Sequence, residues 1–451
     1  MLEPLYSAAE MRAAEERYPG YPDSIPELME RAGAAVAREA VRTFPDARRF
    51  ACVCGGGSNG GDGRVTARVL REAGLDADET SDVEGYDVVI DALFGTGFSG
   101  DPRPEAAAQI ERINATTAPV VSIDIPSGVD ASTGEIAGVA VEADLTVTFH
   151  GLKLGLVVAP GRLHAGRITV VDIGLDHAET EHRRATLALR ELVPRRSAED
   201  TKYAAAVAIV GGEPGMSGAA VLAALAAFRA DAGYVVLAVP RESLAVVEGL
   251  TLEPVKVGWD DDDALETILR AVERARAVAI GPGLGRGESR QALVRGLLEQ
   301  LVVPVVVDAD GLAGLQPVER TGALVLTPHS GELARLLDRE SSWVDAHRLE
   351  AAQATAERFG AVVLLKGQDT IVAAPGTGAI VSDLGPPSLA TAGTGDVLTG
   401  VVASFLAKGV EAQLAAATAA VTHARAAQLV PHQGGLIASD LLGMLPLALE
   451  D

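Results

Sequence analysis

Residues 391–400 read TAGTGDVLTG, which sets Gly393, Thr394 and Gly395 directly before a carboxylate, Asp396, and an apolar run, VLTGVVASFLAKG. If that run is a helix, its free N–H groups and the positive end of its dipole face whatever lies over the glycines. A phosphate suits that position. Asp396 would stand beside the phosphate, where a base that takes the proton of an attacking hydroxyl belongs. The plainer reading is a glycine turn with an acid in a helix first turn. More glycine loops precede it: GGEPG, GPGLG (281–285), DADG (308–311), TPHSGE (327–332) and KGQDT (366–370). At one edge of one sheet they would form a crevice. Lys366, after VVLL, is the cation placed to meet a phosphate there; a solvated lysine at a strand exit is its alternative. His329 lies in a loop and not on an apolar face, which favours ligand contact over capping.

In the first half, FACVC runs into GGGSNGGDG (55–63) and then RVTARVLREAG, a helix closed by Gly74. Strand, glycine loop and helix make the first turn of a βαβ unit. YDVVIDALFGTGFSG places Asp91 at a strand end, and PVVSIDIPSGVDASTG does the same for Asp124. In a parallel sheet these ends share one crevice, so Asp91, Asp124 and the loop around Asn59 are expected to converge.

The elements that must position these residues are α/β in pattern. Helical spacing marks 7–18 and 24–43, the second with Ser24 as N-cap and Pro26 in its first turn. Short strands at 144–149 and 167–172 complete the first sheet. Residues 174–200 are charged and lack apolar pattern until Leu187, which places a domain boundary there and gives domains 1–190 and 191–451. The second half restarts with AVAIV and the helix MSGAAVLAALAAFRADAG, stopped by Gly233. Strands follow at 234–239, 277–280, 303–307, 323–326 and 361–365, alternating with helical patterns, which means a second parallel, doubly wound sheet.

Composition agrees. At 451 residues, with 48% hydrophobic residues, 49 glycines and few aromatics, two aliphatic α/β domains are expected. A net charge of −24 without a Lys/Arg cluster argues against nucleic acid and anionic membrane as partners. An anionic ligand must then be held by backbone amides, a metal or single lysines. Two cysteines, Cys52 and Cys54, exclude a disulfide framework and a four-cysteine zinc site; two apart on a strand, they share a face. The N-terminus reads as an acidic amphipathic segment and not a signal peptide, so a soluble cytoplasmic protein is expected.

TPHSGELARLL, LLKGQDTIV and LATAGTGDVLTGVVASFLAKG together resemble the signature segments of the ADP-dependent NAD(P)H-hydrate dehydratases, a ribokinase-like family. Segments 55–63, 90–101, 122–134 and 149–155 resemble the NAD(P)H-hydrate epimerase domain. The order is similar to that of the fused bacterial enzymes that repair hydrated nicotinamide nucleotides. The resemblance implies a Rossmann-like three-layer sandwich followed by a ribokinase-like one. It also implies a small-molecule substrate, NADH or NADPH hydrated at C6 of the nicotinamide ring, with ADP as phosphoryl donor. In the second half Asp396 matches the base. Lys366, Gly367, Gln368, Asp369, Thr370 and Gly395 match the ADP site, and Ala219, Gly283 and His329 join Asp396 as hydrate contacts. Mg²⁺ is implied with the phosphates, without an assigned protein ligand.

In the first half Asn59, Asp91 and Ser127 match potassium ligands, oxygen donors suited to a hard, weakly held cation. Ser58, Asn59, Gly60, Gly61 and Asp62, then Gly95, Thr96, Gly97, Phe98, Ser99, Gly100 and Asp101, with Asp124, match hydrate contacts. Asp124 is the first candidate for acid/base work on the C6 stereocentre, and Lys153 the second. Ser58 replaces an Asn of the family loop but keeps an oxygen. DTKY at 200–203 departs from the family's usual His before the Lys. A homo-oligomer is expected. An ATP-dependent vitamin kinase fused to a nucleotide-binding domain is the alternative, disfavoured because such a kinase has no use for SNGGD, DALFGTG and DIPSG. A non-catalytic nucleotide sensor would make Asp396 dispensable. A dehydrogenase is disfavoured because neither half has G-x-G-x-x-G with an acid about 20 residues on.

Overall fold

A computed structural model describes residues 1–176 and 179–450. Residues 177–178, inside the charged stretch read as a boundary, lie outside them. The described chain forms two compact units. One is Pro4–Arg183 with Asp345–His347, and the other is Met1–Glu3, Arg184–Val344 and Arg348–Asp451.

The first unit is a six-stranded, wholly parallel sheet. Its strands are β1 (Arg49–Cys54), β2 (Asp76–Glu79), β3 (Val88–Ala92), β4 (Val120–Ile123), β5 (Leu145–Phe149) and β6 (Arg167–Val171), in the order β2-β1-β3-β4-β5-β6. Chain order reverses between β1 and β3, and at such a switch point the loops after the two strands open a crevice. Alternation builds two cores. Phe50, Cys52, Ile90 and Ile123 pack with Leu28, Val36 and Leu70 on one face, and Ala51, Val53 and Val89 pack with Ile110 and Ile113 on the other. Cys52 and Cys54 do share a face, as free thiols.

Helix α1 (Ala8–Glu16) carries a capping box between Ser7 and Glu10. At α2 (Ile25–Thr43) the sequence expectation fails in detail. Ser24 occupies the N-cap position in helical conformation, its hydroxyl accepts no N–H, and its oxygen is buried without a partner. Helix α3 spans Ser58–Glu72, so SNGGDG is its first turn and a half and not the loop before it. Gly74, at φ +82°, follows its end as expected.

The second unit carries strands β7 (Ala206–Val210), β8 (Tyr234–Pro240), β9 (Val255–Trp259), β10 (Ala277–Ile280), β11 (Val305–Val307), β12 (Leu324–Leu326) and β13 (Val362–Leu365). All are parallel, in the order β9-β8-β7-β10-β11-β12-β13. Two more, β14 (Thr370–Ala373) and β15 (Ile380–Ser382), add antiparallel beyond β13, so the sheet is mixed where a parallel one was expected. The switch point lies between β7 and β10, whose following loops are laced: Gly212 N–H donates to Pro282 O at 3.0 Å and Glu213 N–H to Gly283 O at 2.7 Å.

Helix α4 (Ser217–Arg229) is followed by Asp231, not Gly233, in the left-handed conformation. Gly233 serves packing instead, since a Cβ there would lie 2.5 Å from the Lys202 carbonyl. Helices α5 (Ser330–Leu337) and α6 (Arg348–Phe359) precede α7 (Thr394–Ala407) and α8 (Ala412–Leu429). Helix α7 is buried from Val397 to Ala407 and crosses α4 so closely that a Cβ on Gly400 would sit 2.1 Å from the Ala223 carbonyl.

Candidate active sites

In the first unit the crevice is built around two buried carboxylates. Asp91 is wholly buried and takes four hydrogen bonds, from Ser122 Oγ (2.8 Å), Ser127 Oγ (2.6 Å), Ser127 N–H (2.9 Å) and Leu93 N–H (3.3 Å). Burial still pushes its carboxyl above the ordinary carboxylate range. Phe94 N–H donates to Ser127 Oγ at 2.9 Å, and Asn59 Nδ2 donates to Phe94 O at 2.7 Å. The three residues matched to potassium therefore meet at the Phe94–Gly95 turn. Their oxygens fit a monovalent cation. Asn59 Oδ1 takes no hydrogen bond among the described residues, and a positive charge would offset the cost of burying Asp91. No group of three His, Cys, Asp or Glu able to hold a metal exists among the described residues.

Asp124 follows β4 with φ 66°, a left-handed backbone that Asp tolerates better than most residues. Its Oδ1 accepts from Lys153 Nζ (2.6 Å), Thr148 Oγ1 (3.1 Å) and Phe149 N–H (3.3 Å). Its Oδ2 takes no hydrogen bond from the described residues and is left for a ligand. Lys153, the second acid/base candidate, is placed beside Asp124. Its side chain is wholly buried and its three N–H groups go to Asp124, Thr148 Oγ1 (2.8 Å) and Phe149 O (2.8 Å). It holds the Asp124 carboxylate in place.

Asp62, one turn into α3, is the titratable group the arrangement singles out. Burial first, then the charges of Asp124 and Glu15, raise its carboxyl to about 8. Ser58 is exposed at the start of α3, and the amides of Ser58, Asn59 and Gly60 have no partner among the described residues. Packing requires glycine at both 60 and 61. A Cβ would lie 1.9 Å from Gly55 O at the first and 2.4 Å from Met29 Cε at the second. In the 95–101 loop, Gly95 backs onto Asn59 and Phe98 stacks on Phe94 at 4.7 Å. Gly97, Ser99 and Gly100 are exposed and Thr96 half-buried, while Asp101 lies against Gly138.

In the second unit α7 begins at Thr394, three residues earlier than the apolar run, with Gly393 as N-cap at φ +90°. Thr394 Oγ1 donates to Leu389 O and Thr391 O, both at 2.8 Å, and fixes the turn. The amides of Gly395 and Asp396 have no partner among the described residues, as the phosphate reading requires. Lys366 lies beneath them: a Cβ on Gly395 would be 3.3 Å from its Nζ, which donates to Asp308 Oδ1 at 2.7 Å. It is a paired lysine and not a solvated one. Asp396 is raised to about 7, by burial first and then by Asp308, with Asp310 and Glu332 adding and Lys366 opposing.

His329 caps α5. Its Nδ1 accepts from Gly331 N–H at 3.0 Å, and Glu332 returns the box by accepting from His329 N–H at 3.0 Å. Capping, which ranked second on sequence, is what the ring does here, although 56% of its side chain stays exposed at the crevice. Asp369, expected at the nucleotide, turns inward. It is wholly buried, its Oδ1 accepts from Arg348 Nε at 2.7 Å, and its carbonyl accepts from Arg348 Nη2 at 2.8 Å. Gly367 and Gln368 are exposed, and Thr370 opens β14. Ala219 lies in the first turn of α4, and Gly283, at φ +60°, backs onto Met216. Contacts of Gly393 with Leu222 and a bridge between His329 and Lys366 bring these segments to one sheet edge.

Sequence reading missed Asp308, Thr399 and Arg348. Asp308 sits at the end of VVVD, the same acid-at-strand-end signal that located Asp91 and Asp124. Arg348 had no local signal: it joins Ser330 Oγ (3.3 Å) to the 366–369 loop through contacts far apart in sequence. His423, in the middle of α8, is also new. It is hydrogen-bonded to the Thr394 backbone and kept neutral by burial, its pKa lowered to about 4.

Residues 207–446 match the profile of the NAD(P)H-hydrate dehydratase family, and residues 26–81 and 75–155 match that of the YjeF-related protein N-terminus. The chain is 38% identical to a bifunctional NAD(P)H-hydrate repair enzyme Nnr of Moorella thermoacetica, over 99% of this chain and 97% of that one. It is 33% identical to the enzyme so named in Escherichia coli, over 93% and 88%. Among solved structures, an ADP/ATP-dependent NAD(P)H-hydrate dehydratase of Bacillus subtilis co-crystallised with ATP/Mg²⁺ superposes with a TM-score of 0.54 at 30% identity. It covers 58% of this chain and 95% of its own.

Proposed function

The chain belongs to the family of bifunctional NAD(P)H-hydrate repair enzymes, and from that premise we propose how its two sites divide the work. The first domain (1–190) interconverts the R and S epimers of hydrated NADH and NADPH, and the second (191–451) removes water from the S epimer at the expense of ADP. The observation that carries the reading is Asp396, a carboxyl with a value of about 7 at the N-terminus of α7 and above the Lys366 ammonium.

In the second site Asp396 takes the proton of the C6 hydroxyl, whose oxygen attacks the β-phosphorus of ADP, and AMP leaves. Hydroxide is a poor leaving group and phosphate a good one. The C6–O bond then breaks with help from the ring nitrogen, the C5 proton is lost, and NAD(P)H and phosphate result. The free amides of Gly395 and Asp396 receive the transferred phosphoryl group. Mg²⁺, when bound, adds charge neutralisation at the phosphates. Phosphate oxygens and water would hold it. Lys366–Thr370 and Gly395 form the ADP site, where Asp369 acts by folding the loop. Ala219, Gly283 and His329 line the hydrate.

In the first site two acids hold different charge. Asp124, fixed on Lys153, is the carboxylate, and Asp62, raised to about 8, carries a proton at neutral pH. Asp62 protonates the departing C6 hydroxyl, which leaves as water while the ring nitrogen forms an iminium. Water adds to the opposite face and gives its proton to Asp124. Proton transfer between the two acids restores the start. Asn59, Asp91, Ser127 and the Phe94 carbonyl would hold potassium, which supplies charge compensation for Asp91. A cytoplasmic homo-oligomer is part of the same proposal.

The test is to offer the purified chain mixed hydrate epimers with ADP or ATP and follow NADH absorbance. Complete conversion of both epimers with ADP is expected. Conversion of only half the mixture would refute the epimerase assignment, and dehydration without a nucleotide would refute the kinase-like step.

A further inference from the structure

Asp308 opens the DADG loop but has no role assigned above, yet it touches both parts of the dehydratase machinery. It is buried at the end of β11. Its Oδ1 accepts from Lys366 Nζ at 2.7 Å and its Oδ2 from Thr399 Oγ1 at 2.6 Å. Thr399 lies three residues beyond Asp396 on α7, so it projects from the face of the helix that carries the base. One carboxylate thus fixes the cation beneath the Gly395 amide and the helix that presents it. Backbone bonds hold Asp308 in turn, with its N–H donating to Ile280 O at 3.0 Å and Gly311 N–H donating to its carbonyl at 2.9 Å. Glycine at 281 is required because a Cβ there would lie 1.8 Å from the Asp308 carbonyl.

We propose that Asp308 is a positioning residue of the dehydratase, one that holds Lys366 and the start of α7 in register so that the transferred phosphoryl group meets the ammonium and the free amides together. The inference rests on the dehydratase reading. Asp308 also adds negative charge beside Asp396, whose other charged neighbours are Asp310, Glu332 and Lys366. His423, which faces Thr394 from α8, is neutral above about pH 4.

The experiment uses the full chain with the S hydrate, ADP and Mg²⁺ and compares wild type, Asp308→Asn, Lys366→Met, the double variant and Thr399→Val. Asp308→Asn should lower kcat by about 10- to 100-fold, and its acid limb should move to lower pH because a negative neighbour of Asp396 is gone. Because Asp308 acts through Lys366 and Thr399, the double variant should be slower than Lys366→Met by no more than the loss that Thr399→Val shows. Thr399→Val should lower kcat by about 3- to 10-fold with the acid limb unmoved. Multiplying losses in the double variant, or wild-type kcat in Asp308→Asn, would overturn the proposal. Should Asp308→Asn fail to fold, wild-type kcat in Thr399→Val overturns it alone. Absence of ADP-driven turnover in the wild type would overturn the dehydratase reading, and the inference with it.

Discussion

The value of about 7 for Asp396 ties catalysis and stability to one proton. A base works only when ionised, so about one tenth of the enzyme is active at pH 6 and about nine tenths at pH 8. Because kcat/KM reports the free enzyme, kcat/KM for the S hydrate should rise about tenfold over that interval and level off above it. The same ionisation costs stability. The folded-state value lies above the ordinary 3.8, so the folded chain binds a proton that the unfolded chain has released. Stability from this group is therefore fully present below about pH 4, falls between about pH 4 and 7, and is lost above. At ~1.4 kcal/mol per decade the difference is on the order of 4 kcal/mol. Asp396→Asn removes both effects. It should lower ADP-driven dehydration by about 10²- to 10⁴-fold and leave epimerisation intact. In thermal melts it should be more stable than wild type at pH 8, with the gain vanishing near pH 4. A flat kcat/KM from pH 6 to 8, or an unchanged acid limb in the Asn variant, would refute the assignment of the base.

Three further outcomes are expected. Asp124→Asn should slow epimer interconversion and spare dehydration of the S epimer, read by the fraction of mixed hydrate consumed quickly; loss of S turnover would contradict the two-site division. Wild-type epimerisation should decline as pH rises through about 8, and Asp62→Asn should slow it and abolish that decline, measured by separating the epimers chromatographically; a decline that persists in the variant would rule Asp62 out as its source. Arg348→Ala removes the buried ion-pair partner of Asp369 and should cost about 3–5 kcal/mol in chemical denaturation. The same variant should raise KM for both ADP and hydrate, because Ser330 and the 366–369 loop lose their common donor; a variant with unchanged KM values would show that the loops are held by other means.

The layer architecture was legible because both sheets are built from aliphatic runs ending in glycine or aspartate, and those ends are where the crevices lie. The antiparallel strands β14 and β15 were not, since TIVA and IVS are short and follow a segment read as loop. Residues with local punctuation around them, such as Asp91, Asp124 and Asp396, lie at strand or helix ends as expected. Long-range contacts were not legible: the pairing of Asp369 with Arg348 and of Lys153 with Asp124 leaves no local mark. A buried ion pair looks in sequence like two ordinary charges. Glycine was legible as glycine but not by purpose: Gly60 and Gly61 admit neighbouring atoms, whereas Gly393 supplies a left-handed turn.

The positive φ of Asp124 has a consequence for how its site can be probed. The residue is selected twice, once for a carboxylate and once for a backbone that Asp and Asn adopt more readily than other side chains. Alanine or glutamate at 124 would strain the turn that also seats Ser127. Alanine scanning there would thus report a rebuilt loop, and loss of activity could not be credited to the missing acid. Asparagine alone subtracts the charge and keeps the shape, and its comparison with glycine separates chemistry from conformation.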